Sequence, residues 1–295
     1  MDPLGDLADV CAAERLWLHV DAAYGGFAAL TAKGRAALAG LDRADSVTLD
    51  PHKWLYQPME CGCVLIRDGA RLERTFTIHP DYLDGDAVQG AGEVNFADRG
   101  LQLSRGFRAL KVWMTLHTFG LDAFRACIQR NLELAEYAEA LIRGHDDLTL
   151  MAPATLGIVC FRREWPGCDE AETERRGTAL ADELERGGTA LVSTTRLAGR
   201  HAIRLCILNP TSSAGHVRHV IEHFATAPAP AAARETAPAR ETGGGYGYAR
   251  LATIRCAEPG RLLRLTSQDL QWLVDTQPTV KARLAATLAE RLQNR

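Results

Sequence analysis

The sequence predicts an α/β protein in which part of a mostly parallel sheet, with its helices, is followed by a smaller α+β domain. Three observations lead to this prediction. Up to Phe224, short apolar runs of strand length alternate with segments whose apolar residues recur at helical spacing. Apolar residues make up 46% of the 295 residues, which is enough for a substantial core. After Thr226 the composition shifts to proline and alanine, which marks the end of the packed region.

The first part of the chain contains three predicted strands. The opening stretch DPLGDLADVCAAERL has helical spacing, and WLHVDAAY after it is a short buried strand that ends at Asp21. Gly25 and Gly26 then break the chain. SVTLD and CGCVLIRD are predicted as two further strands, with the segment DPHKWL between them. We assign residues 1–120 to a large domain.

Helices dominate the next part of the chain, from GFRALKVWMTLHTFG to LDAFRACIQRNLELAEYAEALIRG. The strand LGIVCFRRE follows, then the helix ETERRGTALADELERGG and the strands ALVSTTRL and HAIRLCIL. This mixture predicts a small α+β domain over residues 121–225. Residues 226–242, TAPAPAAARETAPARET, are predicted to be a semi-extended linker, and residues 243–295 a separate small module.

Composition excludes several classes of function. The net charge of -3 comes with no basic stripe, so we expect no nucleic-acid partner. No apolar run approaches the ~18 residues of a membrane span, and the first residues lack the features of a signal peptide. The eight cysteines form no CxxC pair, which indicates reduced thiols in a cytoplasmic protein. The histidines show no metal-ligand spacing, so no metal site is predicted.

Lys53 lies in DPHKWL among aromatic and apolar neighbours, although lysine is normally a surface residue. Asp21 ends one strand and Lys53 follows another, so a parallel sheet would bring both to the C-terminal edge, where α/β sheets hold ligands. Pyridoxal phosphate needs such a pair: an amine for its Schiff base and a carboxylate against its pyridine nitrogen. His52 is available for ring contacts or proton transfer, and Ala23 is small enough for a flat ring to lie against it.

The residues by themselves leave other interpretations open. Asp21 also fits a helix cap or a turn former, and His52 fits a structural histidine. Asp50, directly before Pro51, fits a turn as well as a cofactor contact.

The segments LHVDAAYGG, ADSVTLDPHKWL and CGCVLIRD, in this order, resemble the group II pyridoxal-phosphate-dependent amino-acid decarboxylases. This is the family of the aromatic-L-amino-acid, histidine and glutamate decarboxylases, and the aromatic branch is the most similar. The similarity continues through HPDYL, LSRGFRALKVWMTLHTFG and LGIVCFR to HVRHVIEHF. The resemblance implies the aspartate aminotransferase-like (type I) fold of PLP-dependent transferases, with residues 1–120 as the C-terminal part of the cofactor-binding large domain.

The resemblance also implies roles for individual residues. Lys53 is the Schiff-base lysine, and Asp21 is the partner of the pyridine nitrogen. His52 and Asp50 line the cofactor site near the phosphate.

The glycine-rich stretch HPDYLDGDAVQGAGEVNFADRG lacks apolar periodicity and is typical of a mobile lid. In the family such a loop carries a tyrosine that protonates the α-carbon, and Tyr82 matches it. The implied reaction is decarboxylation of an L-amino acid through the Lys53 Schiff base and a quinonoid intermediate. The resemblance to the aromatic branch implies an aromatic substrate. Relatives with phenylalanine here tend towards aldehyde formation; the alternative interpretation of Tyr82 is a surface tyrosine without a role.

Members of the family have a long preceding stretch that supplies the phosphate-binding Gly/Ser segment, an aromatic residue on the pyridine ring and much of the substrate pocket. We therefore expect a homodimer, as in the family, or a complementing N-terminal half as partner. The alternative is a catalytically incomplete fragment that acts as a binding or regulatory module.

The end of the chain, from ARLATIRCAEPGRLLRL onwards, resembles the last strands and closing helices of a cyclic-nucleotide-binding domain. Arg250 lies near the place of that family's phosphate-binding arginine. The Gly-Glu element and most of the eight-stranded roll are absent, so we expect a structural or docking appendage and no cyclic nucleotide.

Overall fold

In the computed structural model, the described residues are 2–77 and 94–228. The helices of this part of the chain are α1 Leu4–Ala13, α2 Ala32–Ala37, α3 Pro51–Trp54, α4 Gly69–Phe76, α5 Arg108–Phe119, α6 Leu121–Arg143, α7 Glu170–Arg186 and α8 Ala214–Thr226. The strands are β1 His19–Asp21, β2 Ser46–Leu49, β3 Cys63–Ile66, β4 Leu148–Thr155, β5 Ile158–Arg163, β6 Ser193–Leu197 and β7 Arg200–Cys206.

The first sheet has the strand order β1-β2-β3. β1 and β2 are parallel, with Asp21 opposite Thr48, so the predicted parallel pair is confirmed. β3 runs antiparallel to β2, because the chain makes a single helical turn in α3 and then reverses before Cys63. The ends of β1 and β2 therefore lie at one edge of this sheet.

The second sheet is fully antiparallel, in the order β4-β5-β7-β6. β4 and β5 are joined by Leu156 and Gly157, whose φ angles of 48° and 77° are both left-handed, as a two-residue type I′ hairpin requires. Ala198 and Gly199 join β6 to β7 in the same way, at 49° and 77°. These tight connections fix the register of the sheet.

The 23-residue helix α6 contributes to both cores. Near its start, Ile128 and Leu132 pack against α1, β1 and the fully buried Trp54 of α3. Further along, Ala138 and Ile142 belong to a second core formed with β4, β5, α7, β7 and α8. Apolar residues three and four positions apart on one face of α6 are thus divided between the two sheets.

Most predicted elements are confirmed within one to three residues at each end. The sequence does not predict β4, because LTLMAPAT lacks an apolar and polar alternation and contains a proline. It does not predict α4 either, because this helix buries none of its residues.

The predicted lid falls mostly outside the described residues. Of its described part, Phe96–Arg99 form a 3₁₀ turn, and Arg99 is paired with Glu73 of α4 at 2.7 Å. The predicted module 243–295, and the linker 226–242 beyond Pro228, also lie outside the described residues. Among the helices that are described, none combines the length and the apolar character needed to cross a bilayer.

Candidate active site

Asp21 closes β1 at the edge where the two parallel strands end. Its neighbour Val20 faces the core, so the alternation of the strand leaves Asp21 exposed. The Oδ1 atom accepts a hydrogen bond from the backbone N–H of Ala23 at 3.1 Å. Asp21 and Ala23 thus form a local turn, and the exposed carboxylate remains accessible to a ligand.

Lys53 lies on α3, which we call the lysine helix, directly after β2. Asp50 occupies the N-cap position, and Pro51 is the first helical residue, where its missing N–H does no harm. The Asp50 side chain makes no capping bond; its Oδ2 atom instead lies 2.8 Å from the Lys53 Nζ atom. Trp54, with no exposed surface, anchors the helix in the core. The Lys53 side chain is 35% exposed and therefore accessible to a small molecule.

His52 is held by the backbone of Cys61. Its Nδ1 atom lies 2.6 Å from the Cys61 carbonyl oxygen, which can only accept, and 3.2 Å from the Cys61 backbone nitrogen, which can only donate, so the backbone of Cys61 can satisfy either tautomer of the ring. The Nε2 atom lies 3.7 Å from Asp50 Oδ2. Lys53, His52 and Asp50 thus form one contiguous polar group.

Sequence reasoning missed His19, which shares the exposed face of β1 with Asp21. Its Nδ1 atom lies 2.7 Å from Ser46 Oγ and its Nε2 atom 3.2 Å from Thr48 Oγ1. Trp17 Nε1–H, which can only donate, also contacts Ser46 Oγ at 2.8 Å. The two-residue period of HVD is the sequence signal that indicates this shared face.

Tyr24, which follows β1, and residues of the second sheet also lie near the lysine helix. No local pattern in the sequence indicated these neighbours. The rings of Tyr24 and Trp54 lie 5.2 Å apart, and the Tyr24 hydroxyl donates to the carbonyl oxygen of Gly157 at 3.3 Å. At the end of β7, burial raises the pKa of the Cys206 thiol, and the charges of Arg204 and Lys53 oppose that rise.

Tyr82 lies outside the described residues. Among residues 2–77 and 94–228, no cluster of histidine, cysteine or acidic side chains could hold a metal ion. The seven cysteines of these ranges are free thiols. Burial raises the pKa of Cys63 and Cys160, which favours the protonated thiol.

Known proteins resemble this chain over most of the described part. The conserved domain of pyridoxal-dependent decarboxylases matches residues 1–164. Aromatic-L-amino-acid decarboxylase of Bacillus atrophaeus is 44% identical over 214 residues, 72% of this chain and 45% of the relative. Phenylacetaldehyde synthase of Petunia hybrida is 28% identical over 236 residues, 77% of this chain and 47% of the relative. The crystal structure of Oryza sativa TDC with PLP and tryptamine has a TM-score of 0.69 and 32% identity, covering 76% of this chain and 46% of that one.

The fold is accordingly the aspartate aminotransferase-like fold of PLP-dependent enzymes. Within that class, the chain belongs to the pyridoxal-dependent decarboxylase family. It spans about half the length of the curated relatives it matches.

The residues present fit pyridoxal phosphate, the cofactor of this family. An accessible amine on Lys53 is the group that binds its aldehyde, and the exposed carboxylate of Asp21 suits a protonated pyridine nitrogen. Both groups follow strands that end at the same edge of the sheet. The cofactor roles of Asp21, Ala23, Asp50, His52 and Lys53 stay predictions.

Proposed function

We propose that this chain carries the lysine-bearing part of a PLP-dependent decarboxylase that acts on an aromatic L-amino acid. The observation that carries the proposal is the accessible Lys53 amine, 2.8 Å from Asp50, on a short helix beside the strand that ends in Asp21. The 44% identity to an aromatic-L-amino-acid decarboxylase supports the substrate class.

When bound, pyridoxal phosphate supplies the sink for the electrons that the departing carboxylate leaves on the α-carbon. Lys53 would hold the cofactor through its accessible amine. Asp50 holds the Lys53 Nζ atom at the edge of the sheet while the site is open. Asp21 would accept a hydrogen bond from the protonated pyridine nitrogen, and His52 would transfer a proton at Nε2.

Trapping of the cofactor on the lysine tests this proposal. The purified chain is incubated with pyridoxal phosphate, reduced with borohydride and mapped by peptide mass spectrometry, beside Lys53→Ala. We expect a fixed adduct on Lys53 that the variant loses. Lys33→Ala is the matched control, because Lys33 is an exposed lysine that also pairs with a carboxylate, that of Glu136. Equal labelling of Lys53 and Lys33 in the unmodified protein would contradict the proposal.

The similarity to phenylacetaldehyde synthase favours aldehyde formation as a second candidate activity. Tyr82 distinguishes the two, because a tyrosine hydroxyl can protonate the α-carbon after carbon dioxide leaves, whereas a phenylalanine cannot. We expect the amine as product, and in Tyr82→Phe a fall in amine of about 100-fold, the lower end for loss of a general acid. The assay, run with the complementing half described below, measures amine, aldehyde and hydrogen peroxide under oxygen. Aldehyde and peroxide from the unsubstituted chain would reverse the assignment.

We also propose that a second polypeptide surface covers the apolar side of α5. Leu110, Trp113 and Met114, about one turn apart on α5, are 41–58% exposed. The ring centroids of Trp113 and His117 are 4.2 Å apart. Val64 and Leu65 of β3 are each 54% exposed. Exposed apolar side chains grouped on one side of a helix, as on α5, are typical of interfaces.

The partner is either a second copy of this chain or the half that relatives carry before the matched region. Sedimentation velocity of the chain alone distinguishes these: a dimer supports self-association. A monomer that joins a stable complex on co-expression with the N-terminal half of the Bacillus atrophaeus enzyme supports complementation. In either case Trp113→Glu is expected to abolish the complex, and Leu191→Glu, at an exposed residue outside α5, is expected to leave it intact. An unaffected complex in Trp113→Glu would contradict the assignment of α5.

The cytoplasm is the compartment that we propose. The free thiols of the seven described cysteines support it, since such thiols persist in reducing compartments. Fractionation of cells that express the tagged chain tests this.

A further inference from the structure

The lysine helix is held at its C-terminal end by contacts that the proposed chemistry does not use. The helix has only four residues, and a helix of that length has little stability by itself. The chain leaves it through Tyr56, whose φ of 53° lies in the left-handed region that residues with a side chain rarely adopt. Contacts outside the helix must therefore hold Lys53 in place.

Tyr56 itself makes two of these contacts. Its hydroxyl donates to Oδ1 of Asn131 on α6 at 2.9 Å, and its ring stacks on Phe124 of the same helix at 6.2 Å and 12°. Burial raises the pKa of Tyr56, so the hydroxyl keeps its proton and remains a donor. The next residue, Gln57, adds a 2.8 Å hydrogen bond from Nε2 to Thr115 Oγ1 on α5.

Asn131 continues this connection to the second sheet. It is 1% exposed, and its Nδ2 atom donates to the backbone carbonyl of Asn209, just after β7, at 3.0 Å. Because a carbonyl oxygen can only accept, this bond fixes the amide with Oδ1 towards Tyr56. A leucine would satisfy neither neighbour, and a carboxylate would lack the donor that Asn209 needs.

We infer that Asn131 is a positioning residue for Lys53, which it fixes through Tyr56 to the chain segment that follows β7. Asn131 itself contacts no reacting group. The inference deepens the proposed function and rests on it for its meaning in cofactor binding. Its geometric content, that breaking the Tyr56–Asn131 bond displaces the Lys53 amine, is testable without cofactor.

The chain has only four lysines, Lys33, Lys53, Lys111 and Lys281, which allows a direct measurement. Reductive methylation of the full chain with ¹³C-formaldehyde gives one dimethyl-lysine NMR signal for each, and the signal lost in Lys53→Arg identifies Lys53. In Tyr56→Phe, which keeps the stacked ring, and in Asn131→Leu, we expect the Lys53 signal to shift and the Lys33 signal to stay. In the double variant the shift should equal that of a single one, because either substitution breaks the same connection.

Tyr137→Phe is the matched control. It removes the hydroxyl of another tyrosine, which lies on α6 and accepts a hydrogen bond from Arg218 of α8 at 2.6 Å. A Lys53 signal that moves no further in Tyr56→Phe and Asn131→Leu than in Tyr137→Phe would overturn the inference. A lowered unfolding temperature with an unmoved signal would also overturn it, since Asn131 would then only stabilise the core.

Pyridoxal phosphate binding, followed by absorbance and induced circular dichroism, gives the second measurement. We expect the apparent Kd to rise about fivefold in either variant, as for the loss of one hydrogen bond, and an unchanged Kd contradicts the inference. Absence of binding in the unsubstituted chain would contradict the proposed function instead, and the methyl signals would still decide the role of Asn131.

Discussion

At the scale of single residues, side chains of the candidate site make contacts other than those most common for their positions. Asp50 has the backbone position of a helix cap, yet its carboxylate pairs with the lysine three residues later. The Nδ1 atom of His52 lies against both the carbonyl oxygen and the N–H of Cys61. The sequence predicted both residues as members of the site, and the structure shows which groups they contact.

Asp50→Asn tests the ion pair with Lys53. The pair is partly exposed, so we expect the free energy of unfolding to change by less than about 1 kcal/mol. Trapping of pyridoxal phosphate on Lys53 should fall several-fold, because the flexible lysine stem is then no longer held at the sheet edge. Urea unfolding and borohydride trapping measure the two effects.

Asp122→Asn is the control for this substitution, since Asp122 makes an i,i+3 pair with Arg125 on an exposed helix face. It should leave trapping unchanged. Equal trapping in Asp50→Asn and the unsubstituted chain would show that the carboxylate does not position the amine.

At the scale of elements, the β4–β5 hairpin is packed directly against the lysine helix. A Cβ atom at Gly157 would lie 2.8 Å from Trp54 Cζ2 and 2.9 Å from the Ile207 carbonyl oxygen. A Cβ atom at Gly25 would lie 2.7 Å from Leu156 Cδ1. The two residues of this turn thus lie close to the site, and glycine is needed at position 157 for space as well as for its positive φ.

Gly157→Ala and Gly199→Ala separate these two requirements. Both glycines have a φ of 77° in equivalent hairpin turns, but nothing lies within 4 Å of a Cβ at Gly199. We expect Gly199→Ala to destabilise by about 1 kcal/mol through the left-handed backbone alone. Gly157→Ala should cost about 1–3 kcal/mol more, as overpacking does.

Chemical denaturation of the two variants and the unsubstituted chain gives this difference. Equal losses of stability in the two variants would mean that the hairpin does not press against Trp54.

At the scale of the whole molecule, the pH dependence of stability near neutral pH is expected to come from a histidine of the second sheet. Burial lowers the pKa of His201 on β7, against the opposing effect of Glu174 and Glu170, while Arg162 and Arg196 lower it further. The folded chain therefore binds this proton less readily than the unfolded chain. Stability is full above the ordinary pKa of 6.5 and falls as the pH drops from there through the lowered pKa of the folded state.

The carboxylates contribute in a separate, more acidic range. A hydrogen bond from Arg108 lowers the pKa of Glu60, and the backbone N–H of His201 lowers that of Glu170. Their contribution to the stability of the fold is present above pH 4.5 and is lost as the pH falls below it. Between pH 6.5 and pH 4.5, we expect any loss of stability to come from His201.

Urea midpoints at pH 7.5 and pH 5.5 test this assignment. The midpoint should fall in the unsubstituted chain and fall less in His201→Gln, which cannot titrate. His219→Gln, at an exposed histidine of α8, should behave like the unsubstituted chain. The same fall in all three would assign the effect to other groups.

The sequence by itself determined the α/β class, most of the helices and strands, and the placement of Asp21 and Lys53 after strands that end at one edge of the sheet. These features depend on apolar periods and on residues near one another in the chain, which a sequence displays directly. The order of the motifs along the chain was also enough to identify the family. Only the tertiary structure decided that β3 reverses direction, that His19 contacts Ser46 and Thr48, and that α6 contributes to both cores. The bond from Tyr56 to Asn131 joins residues 75 positions apart, and the close approach of Gly157 to Trp54 joins the β4–β5 turn to the lysine helix. Such contacts depend on how finished elements pack together, and no local pattern of residues encodes them.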